Sequence, residues 1–336
     1  MRAAIYGLEG LELTADERSF FQDADPAGFI LFRRNCEDQE QVARLTSSLR
    51  DLTGRPDVPV LIDQEGGRVV RMRPPVWPSF PAMERFAELY ALAPSSAIEA
   101  ARSNARAIAL TLRASGVNVN ALPLLDVRQE GASDIIGDRA LGAEPMQVAA
   151  LGRAVLDGMA SAGVVGIIKH IPGHGRALVD SHKELPVVHA SADALESDLE
   201  PFERLASAPM GMTAHVVYTA WDADRPASLS PTVIGEIIRG RIGFDGFLMS
   251  DDLGMEALQG DYGERAAGVV AAGCDAALHC SGKLDEMVAV AGAVPLMTPE
   301  GEARLARAMA TTLVDDDEGA NFAEAVAKRD ALLALV

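Results

Sequence analysis

Apolar residues in this chain gather in short continuous runs. Each is followed by a polar or glycine-rich stretch and then by a longer segment with helical spacing. The runs cover 3–8, 29–32, 58–62, 117–122, 164–168, 210–214, 246–249 and 276–278. Most do not alternate polar with apolar, the pattern of parallel strands buried on both faces. Between them the spacing predicts helices over 38–52, 96–115, 145–161, 191–207, 231–240 and 262–272, several opened by a capping residue or proline, as at Ser230-Pro231. Two more, about 299–313 and 320–334, follow, flanking the acidic tract Asp315–Glu318, which reads as a solvated loop. Eight strand-plus-helix units predict one (β/α)8 barrel occupying residues 1–336, with extra C-terminal helices over about 299–336. An open, doubly wound sheet has the same local pattern. The barrel is favoured by the reactive side chains at the strand tips: Asn35, Asp63, Asp126, Lys169-His170, His215, Asp251 and His279. A barrel gathers those ends around one mouth, whereas an open sheet spreads them along an edge.

Charge narrows the partners. The 336 residues carry 30 basic and 49 acidic side chains, a formal charge of −19, with no basic run longer than Arg33-Arg34. Such a chain does not neutralise phosphates, so nucleic acid and anionic membrane surfaces are excluded as partners. No apolar stretch is long and uncharged enough to span a bilayer, and the N-terminal apolar stretch is interrupted by Glu9 and Glu12. Three cysteines (36, 274 and 280) form neither a disulfide framework nor a Cys-x-x-Cys pattern, which predicts a cytoplasmic location. Phosphate-cradling glycine motifs and the Gly-x-Ser-x-Gly elbow are absent.

Three loops carry chemistry. In Leu61-Ile-Asp-Gln-Glu-Gly-Gly-Arg-Val-Val-Arg71, an apolar strand delivers Asp63 to its tip, two glycines permit a tight turn, and Arg68 and Arg71 follow. A carboxylate beside arginines stays ionised and can accept bonds from paired sugar hydroxyls, or it can form a strand-end ion pair. The second segment, 169–182, holds three of the six histidines. His170 and His174 have metal-ligand spacing only in a helix, and Pro172, Gly173 and Gly175 oppose one. The segment reads instead as a long loop ending in Asp180 and His182. On extended backbone positions i and i+2 share a face, so the carboxylate can orient the imidazole as a general acid/base. The third, Phe247-Leu-Met-Ser-Asp-Asp-Leu-Gly254, ends a strand on Asp251 and Asp252. These point to opposite sides, and residue physics alone leaves open which faces the mouth as nucleophile or electrostatic stabiliser.

Taken together, Gly28-Phe-Ile-Leu-Phe-Arg-Arg-Asn35, Ile62–Arg71, Gly137-Asp-Arg139, Lys169-His-Ile-Pro-Gly-His-Gly175, Asp180-Ser-His182 and Ser250-Asp-Asp-Leu253 resemble glycoside hydrolase family 3, in order, over residues 1 to about 280. The Lys-His-x-Pro-Gly-His-Gly block ending in Asp-Ser-His points to its β-N-acetylglucosaminidases. The resemblance implies a (β/α)8 barrel and retaining hydrolysis of terminal, non-reducing β-linked N-acetylglucosamine, in cell-wall recycling from anhydro-muropeptide fragments. It assigns the nucleophile to Asp251 and the acid/base to His182 assisted by Asp180. Sugar contacts fall on Asp63, Arg71, Arg139, Lys169 and His170. It implies a small saccharide or muropeptide partner, no cofactor and no metal; the sequence leaves the oligomeric state open, and a monomer is compatible with it. One departure is visible: Ala140-Leu141 stand where the family commonly has Ser-Phe after the arginine. The second domain that some relatives append does not fit this length. Phosphorolysis by the same residues, a non-catalytic carbohydrate-binding barrel and a metal-dependent hydrolase are the alternatives.

Overall fold

The structure, a computed structural model, describes residues 1–313 and 321–336. The acidic tract Asp315–Glu318 lies outside the described residues. In chain order the elements are β1 (Arg2–Gly7), α1 (Ala15–Ala24), β2 (Pro26–Leu31), α2 (Gln39–Thr53), β3 (Val60–Ile62), α3 (Glu84–Leu92), α4 (Pro94–Ala114) and β4 (Val119–Asn120). Next come α5 (Pro145–Ala160), β5 (Val165–Ile171), β6 (Val187–Val188), α6 (Ala192–Arg204), β7 (Met210–Thr213), β8 (Val217–Tyr218) and β9 (Asp222–Pro226). The chain continues through β10 (Phe247–Asp252), α7 (Tyr262–Ala272), β11 (Ala276–His279), α8 (Leu284–Ala293), α9 (Pro299–Ala310) and α10 (Phe322–Leu333).

Strands β1, β2, β3, β4, β5, β7, β10 and β11 pair in parallel in that order, and β11 returns to β1, closing the (β/α)8 barrel that the apolar runs predict. Each of the eight runs supplies one barrel strand. The boundaries differ where the ladder reaches into polar residues. Strand β5 runs on to Ile171, which pairs with Thr213, so Lys169 and His170 lie in the strand rather than past it. Likewise β10 includes Asp251 and Asp252. Fixing these side chains on paired backbone positions them more closely than a loop does. Strands β6, β8 and β9 form a small separate sheet in the loops after β5 and β7.

Two-residue alternation divides the runs between two cores. Ile5, Leu61, Val119, Val165, Ile167, Met210, Phe247, Met249 and Leu278 belong to one buried cluster, in the barrel interior. Their neighbours Tyr6, Phe29, Val60, Ile62 and Leu248 pack outward against the helices. Both faces are apolar, which is why the sequence shows continuous runs.

The helices follow their expected spans, with three more (α1, α3 and α8) that the apolar pattern does not single out. The first is mostly polar and is fixed by its start: Thr14 accepts from the Glu17 N–H while the Glu17 carboxylate accepts from the Thr14 N–H. The segment expected as a helix over 231–240 is helical over Val233–Arg241, in wide π-type turns. Among the described residues, no helix is long and apolar enough to cross a membrane.

The extra helices have distinct tasks. Leu305, Ala308 and Met309 of α9, with Met297, join the interior core, so α9 closes the barrel. Beside it Asp275 accepts from Arg239 and Arg304 and from the Leu248 N–H. Helix α10 packs on α4, where buried Arg329 donates to Asn104. The cluster around Asp275 precedes β11, at the barrel end opposite the strand tips, where substitutions act on stability rather than on chemistry. Asp275→Ala would leave two arginines without their shared carboxylate. It should lower the unfolding free energy in urea by about 3 kcal/mol without altering the arrangement of residues at the strand tips, as read from unchanged near-UV circular dichroism of the folded protein.

Candidate active site

At the C-terminal ends of the strands lies a cavity of about 280 Å³. It is lined by Asp63, Arg71, Arg139, Lys169, His170, His182 and Asp251, brought together from positions up to 188 residues apart in sequence (251 − 63). Asp180 stands behind His182.

One wall is a cluster of buried charges. Lys169 is 2% exposed, and its Nζ lies 3.1 Å from Asp63 Oδ1 and 2.7 Å from Glu65 Oε1. The Arg139 guanidinium grips Glu65 through two bonds of 2.8 Å, while Arg71 donates to Asp63 at 3.0 Å. Burial alone would raise both carboxyl pKa values. Arg139 and Lys169 overcome it at Glu65 and hold it at about 2, and Lys169 and Arg71 hold Asp63 far below the usual carboxylate range. Lys169, though desolvated, is raised by Glu65 and Asp63. Three cations thus stand against two carboxylates, all ionised at neutral pH.

The residues after β3 hold this wall in register. Buried Gln64 accepts from the Arg71 and Met72 N–H groups and donates to the Met72 carbonyl, drawing Arg71 back beside Asp63. The Arg34 and Arg71 guanidiniums both lie against the Phe32 ring, 4.9 and 5.0 Å from its centre. Arg68 does not reach Asp63. It pairs with Asp138 and donates to the carbonyls of Asp134 and Ile135 instead. Ala140 and Leu141, where the sequence departs from the family pattern, are buried in the core, and Arg139 keeps its grip on Glu65 beside them.

Behind His170 stands Asp126, fully buried. It accepts from the His170 ring Nδ1 at 2.8 Å and from the N–H groups of His170 and His174. A carboxylate accepts, so Nδ1 carries the proton and Nε2 is the ring nitrogen left for a ligand. Burial works against the Asp126 charge, but His170 and the His174 N–H bring its pKa to about 2. Past β5 the chain turns sharply. Gly173 has φ 133°, and a Cβ at Gly175 would lie 1.9 Å from the Val127 carbonyl oxygen, so neither position accepts a larger residue without displacing backbone. His170 and His174 meet edge-on, ring centres 5.7 Å apart. Among the described residues no three His, Cys, Asp or Glu side chains are grouped to hold a metal ion.

The opposite wall carries Asp251 and Asp252, and both line the cavity, although strand alternation predicts that they face opposite ways. Asp251 lines the cavity and accepts from the Asp252 N–H at 2.8 Å. Burial pushes its pKa up, but His170, His215 and that N–H together bring it below the ordinary value. Asp252 Oδ1 accepts from the Gly254 and Cys280 N–H groups, tying the turn to β11. It holds a turn; the cap of α7 is Asp261.

His182 sits at the rim, its side chain 61% exposed, with Nδ1 2.8 Å from Asp180 Oδ1. The backbone here is a turn, not the extended segment expected. The Lys183 N–H donates to the Asp180 carbonyl, and Asp180 Oδ1 also accepts the His182 N–H. The side chains meet because Asp180 folds over its own turn, as short acidic residues do. Slight burial opposes the Asp180 charge, while the His182 N–H and ring lower its pKa.

Not every strand tip faces the mouth. Asn35 is buried in its own loop, donating to the Leu8 and Gly10 carbonyls. His215 donates from Nε2 to the Asp252 carbonyl and accepts from Ser228. His279 contacts Ser281 and Glu286 outside the cavity. Glu65 and the pairing of Asp126 with His170 were not assigned from sequence. Glu65 sits two residues after Asp63, and the only signal for it was a carboxylate in the same glycine-bounded turn.

The chain matches the family model described as the glycosyl hydrolase family 3 N-terminal domain over residues 2–310. It is 39% identical, over 92% of its length and 89% of the relative's, to a β-hexosaminidase of Alkalilimnicola ehrlichii. Against one of Xylella fastidiosa the identity is 40%, covering 86% and 87%. Among solved structures, native NagZ of Neisseria gonorrhoeae superposes with a TM-score of 0.87 at 32% identity, over 99% of this chain and 98% of that one. The same protein in complex with N-trifluoroacetyl-D-glucosamine gives 0.86 at 31% identity, over 99% and 98%.

A carboxylate held by buried partners adds stability above its unfolded pKa and loses it as pH falls toward the folded value. With Glu65 and Asp126 both held near 2, the unfolding free energy should decline from about pH 4.5 downward. Glu65→Gln, which strips a buried charge from Lys169 and Arg139, should lower stability at pH 7 by about 3–5 kcal/mol and flatten that decline, as read from urea unfolding at pH 7 and pH 3.

Proposed function

The chain belongs to glycosyl hydrolase family 3 and is a glycoside hydrolase of the β-N-acetylhexosaminidase type, and from that premise we propose that it removes terminal, non-reducing β-linked N-acetylglucosamine with retention. The observation that carries this reading is one sugar-sized cavity with ionised Asp251 in its wall and the Asp180–His182 pair at its rim. The neighbour's complex with an N-acylated glucosamine supports the choice of sugar.

In the first step an Asp251 carboxylate oxygen attacks the anomeric carbon as the glycosidic C–O bond breaks. His182, as imidazolium stabilised by Asp180, gives its Nε2 proton to the departing oxygen. In the second, neutral His182 takes a proton from water, whose oxygen displaces Asp251 from the anomeric carbon and restores the β configuration. Asp63, Arg71, Arg139, Lys169 and His170 hold the hydroxyls, turning binding energy into orientation. A histidine keeps a second negative charge away from the nucleophile, which a second carboxylate would add. We read residues 1–336 as one catalytic unit, α9 and α10 included. The natural substrate on this reading is a cell-wall fragment, an anhydro-muropeptide, handled in the cytoplasm. Three free cysteines fit a reducing compartment.

Asp251→Ala should reduce turnover of an aryl β-N-acetylglucosaminide by about 10³-fold or more. Near-parental activity would remove the nucleophile assignment. His182→Ala should lower kcat/KM by about 10²-fold on substrates with poor leaving groups and far less on activated aryl ones. Equal losses on both would show that His182 is not the acid. Adding inorganic phosphate should neither raise the rate nor yield a sugar 1-phosphate. Formation of that product would replace hydrolysis by phosphorolysis.

A further inference from the structure

We infer that His174 and Ser181, neither of which has a role in the mechanism above, are positioning residues that seat the Asp180–His182 pair over the cavity. The inference rests on the acid/base reading of His182 and deepens it. A general acid must come within about 2.6–3.2 Å of the departing oxygen. His182 is on an exposed turn, and between 178 and 184 only Ser181 is buried. Its hydroxyl lies 3.2 Å from His174 Nε2, and its carbonyl accepts from the Ala257 N–H. Ser181 is thus a peg between the two members of the dyad, pressed into the protein while Asp180 is half-buried and His182 exposed.

The socket is itself fixed. His174 is 3% exposed. Its N–H donates at 2.6 Å to Asp126, the same carboxylate that orients His170. Glycines on either side hold its backbone close, Gly173 against Asp198 and Gly175 against Val127. One chain of hydrogen bonds therefore references the acid/base turn to the sugar-binding side: His170, Asp126, His174, Ser181. Burial and the neighbouring His170 push the His174 pKa down to about 4, so the ring is uncharged at neutral pH. Either neutral tautomer satisfies the Ser181 hydroxyl, which both donates and accepts. Upstream, Arg176 clamps the same loop to Asp198 of α6 at 2.7 Å, leaving the Ser181 contact to set the register at its far end.

A misplacement of about 1 Å at such a group costs on the order of 10²-fold in rate. The test compares kcat/KM over aryl β-N-acetylglucosaminides of graded leaving-group acidity, with competitive inhibition by N-acetylglucosamine as the binding control. Ser181→Ala should lose about tenfold on the poorest leaving groups and several-fold less on the most activated. Inhibition by the free sugar should stay within about twofold. Ser181→Thr, which keeps the hydroxyl, should recover most of the loss, and His174→Ala combined with Ser181→Ala should be no worse than the more damaging single change. A uniform loss across leaving groups, or no recovery with threonine, overturns the positioning role. If His182→Ala itself shows no dependence on the leaving group, the acid/base reading fails first. A leaving-group dependence in His182→Ala that Ser181→Ala lacks defeats the positioning role alone.

Discussion

The buried ammonium of Lys169 is the contact on which the candidate site depends. It reaches Asp63 on one side and Glu65 on the other, and each carboxylate has its own arginine. Taking a lysine out of water is unfavourable unless nearly all of that loss is returned by close opposite charges. Here two carboxylates from the turn after β3 do so for a lysine on β5, so neither strand is right without the other. The cluster keeps five charged groups paired and ionised beside a cavity. Preorganisation of this kind spares a ligand the task of ordering them.

Two aspartate–histidine pairs flank the same cavity in opposite surroundings. Asp126–His170 is buried on strand and core, and Asp180–His182 sits on an exposed turn. Geometry fixes the ring proton alike in both, on Nδ1, so each presents Nε2. Burial separates their surroundings: the His170 ring is locked in the wall, whereas that of His182 lies at the rim in contact with water. Asp251 faces both, and its ionisation draws on His170 and His215 as well as on the N–H of Asp252.

The closed sheet keeps a second charged cluster at the end remote from the cavity. Strand tips carry the charges, and the interior below them is apolar and sealed by α9. The charged cluster at Asp275, Arg239 and Arg304 ties that seal to the strand starts, remote from the cavity.

Local pattern determined much of this. Eight apolar runs became eight barrel strands because parallel strands buried on both faces require continuous apolar residues, and that requirement is written locally. Asp63, Lys169 and His170 were legible because each ends such a run, whereas the choice of Asp251 over Asp252 came from the family resemblance alone. Helices with strong apolar stripes were legible too, whereas the mostly polar α1 depends on a cap and was not. Only the tertiary structure decided which polar groups meet. Glu65 between Arg139 and Lys169, Asp126 behind His170, Arg68 on Asp138 rather than Asp63, and the turn that folds Asp180 onto His182 all depend on directions set by neighbouring strands and turns. A side chain's identity is local, but its partner is chosen by closure of the barrel, which brings together residues more than a hundred positions apart, and spacing along a chain carries no record of that.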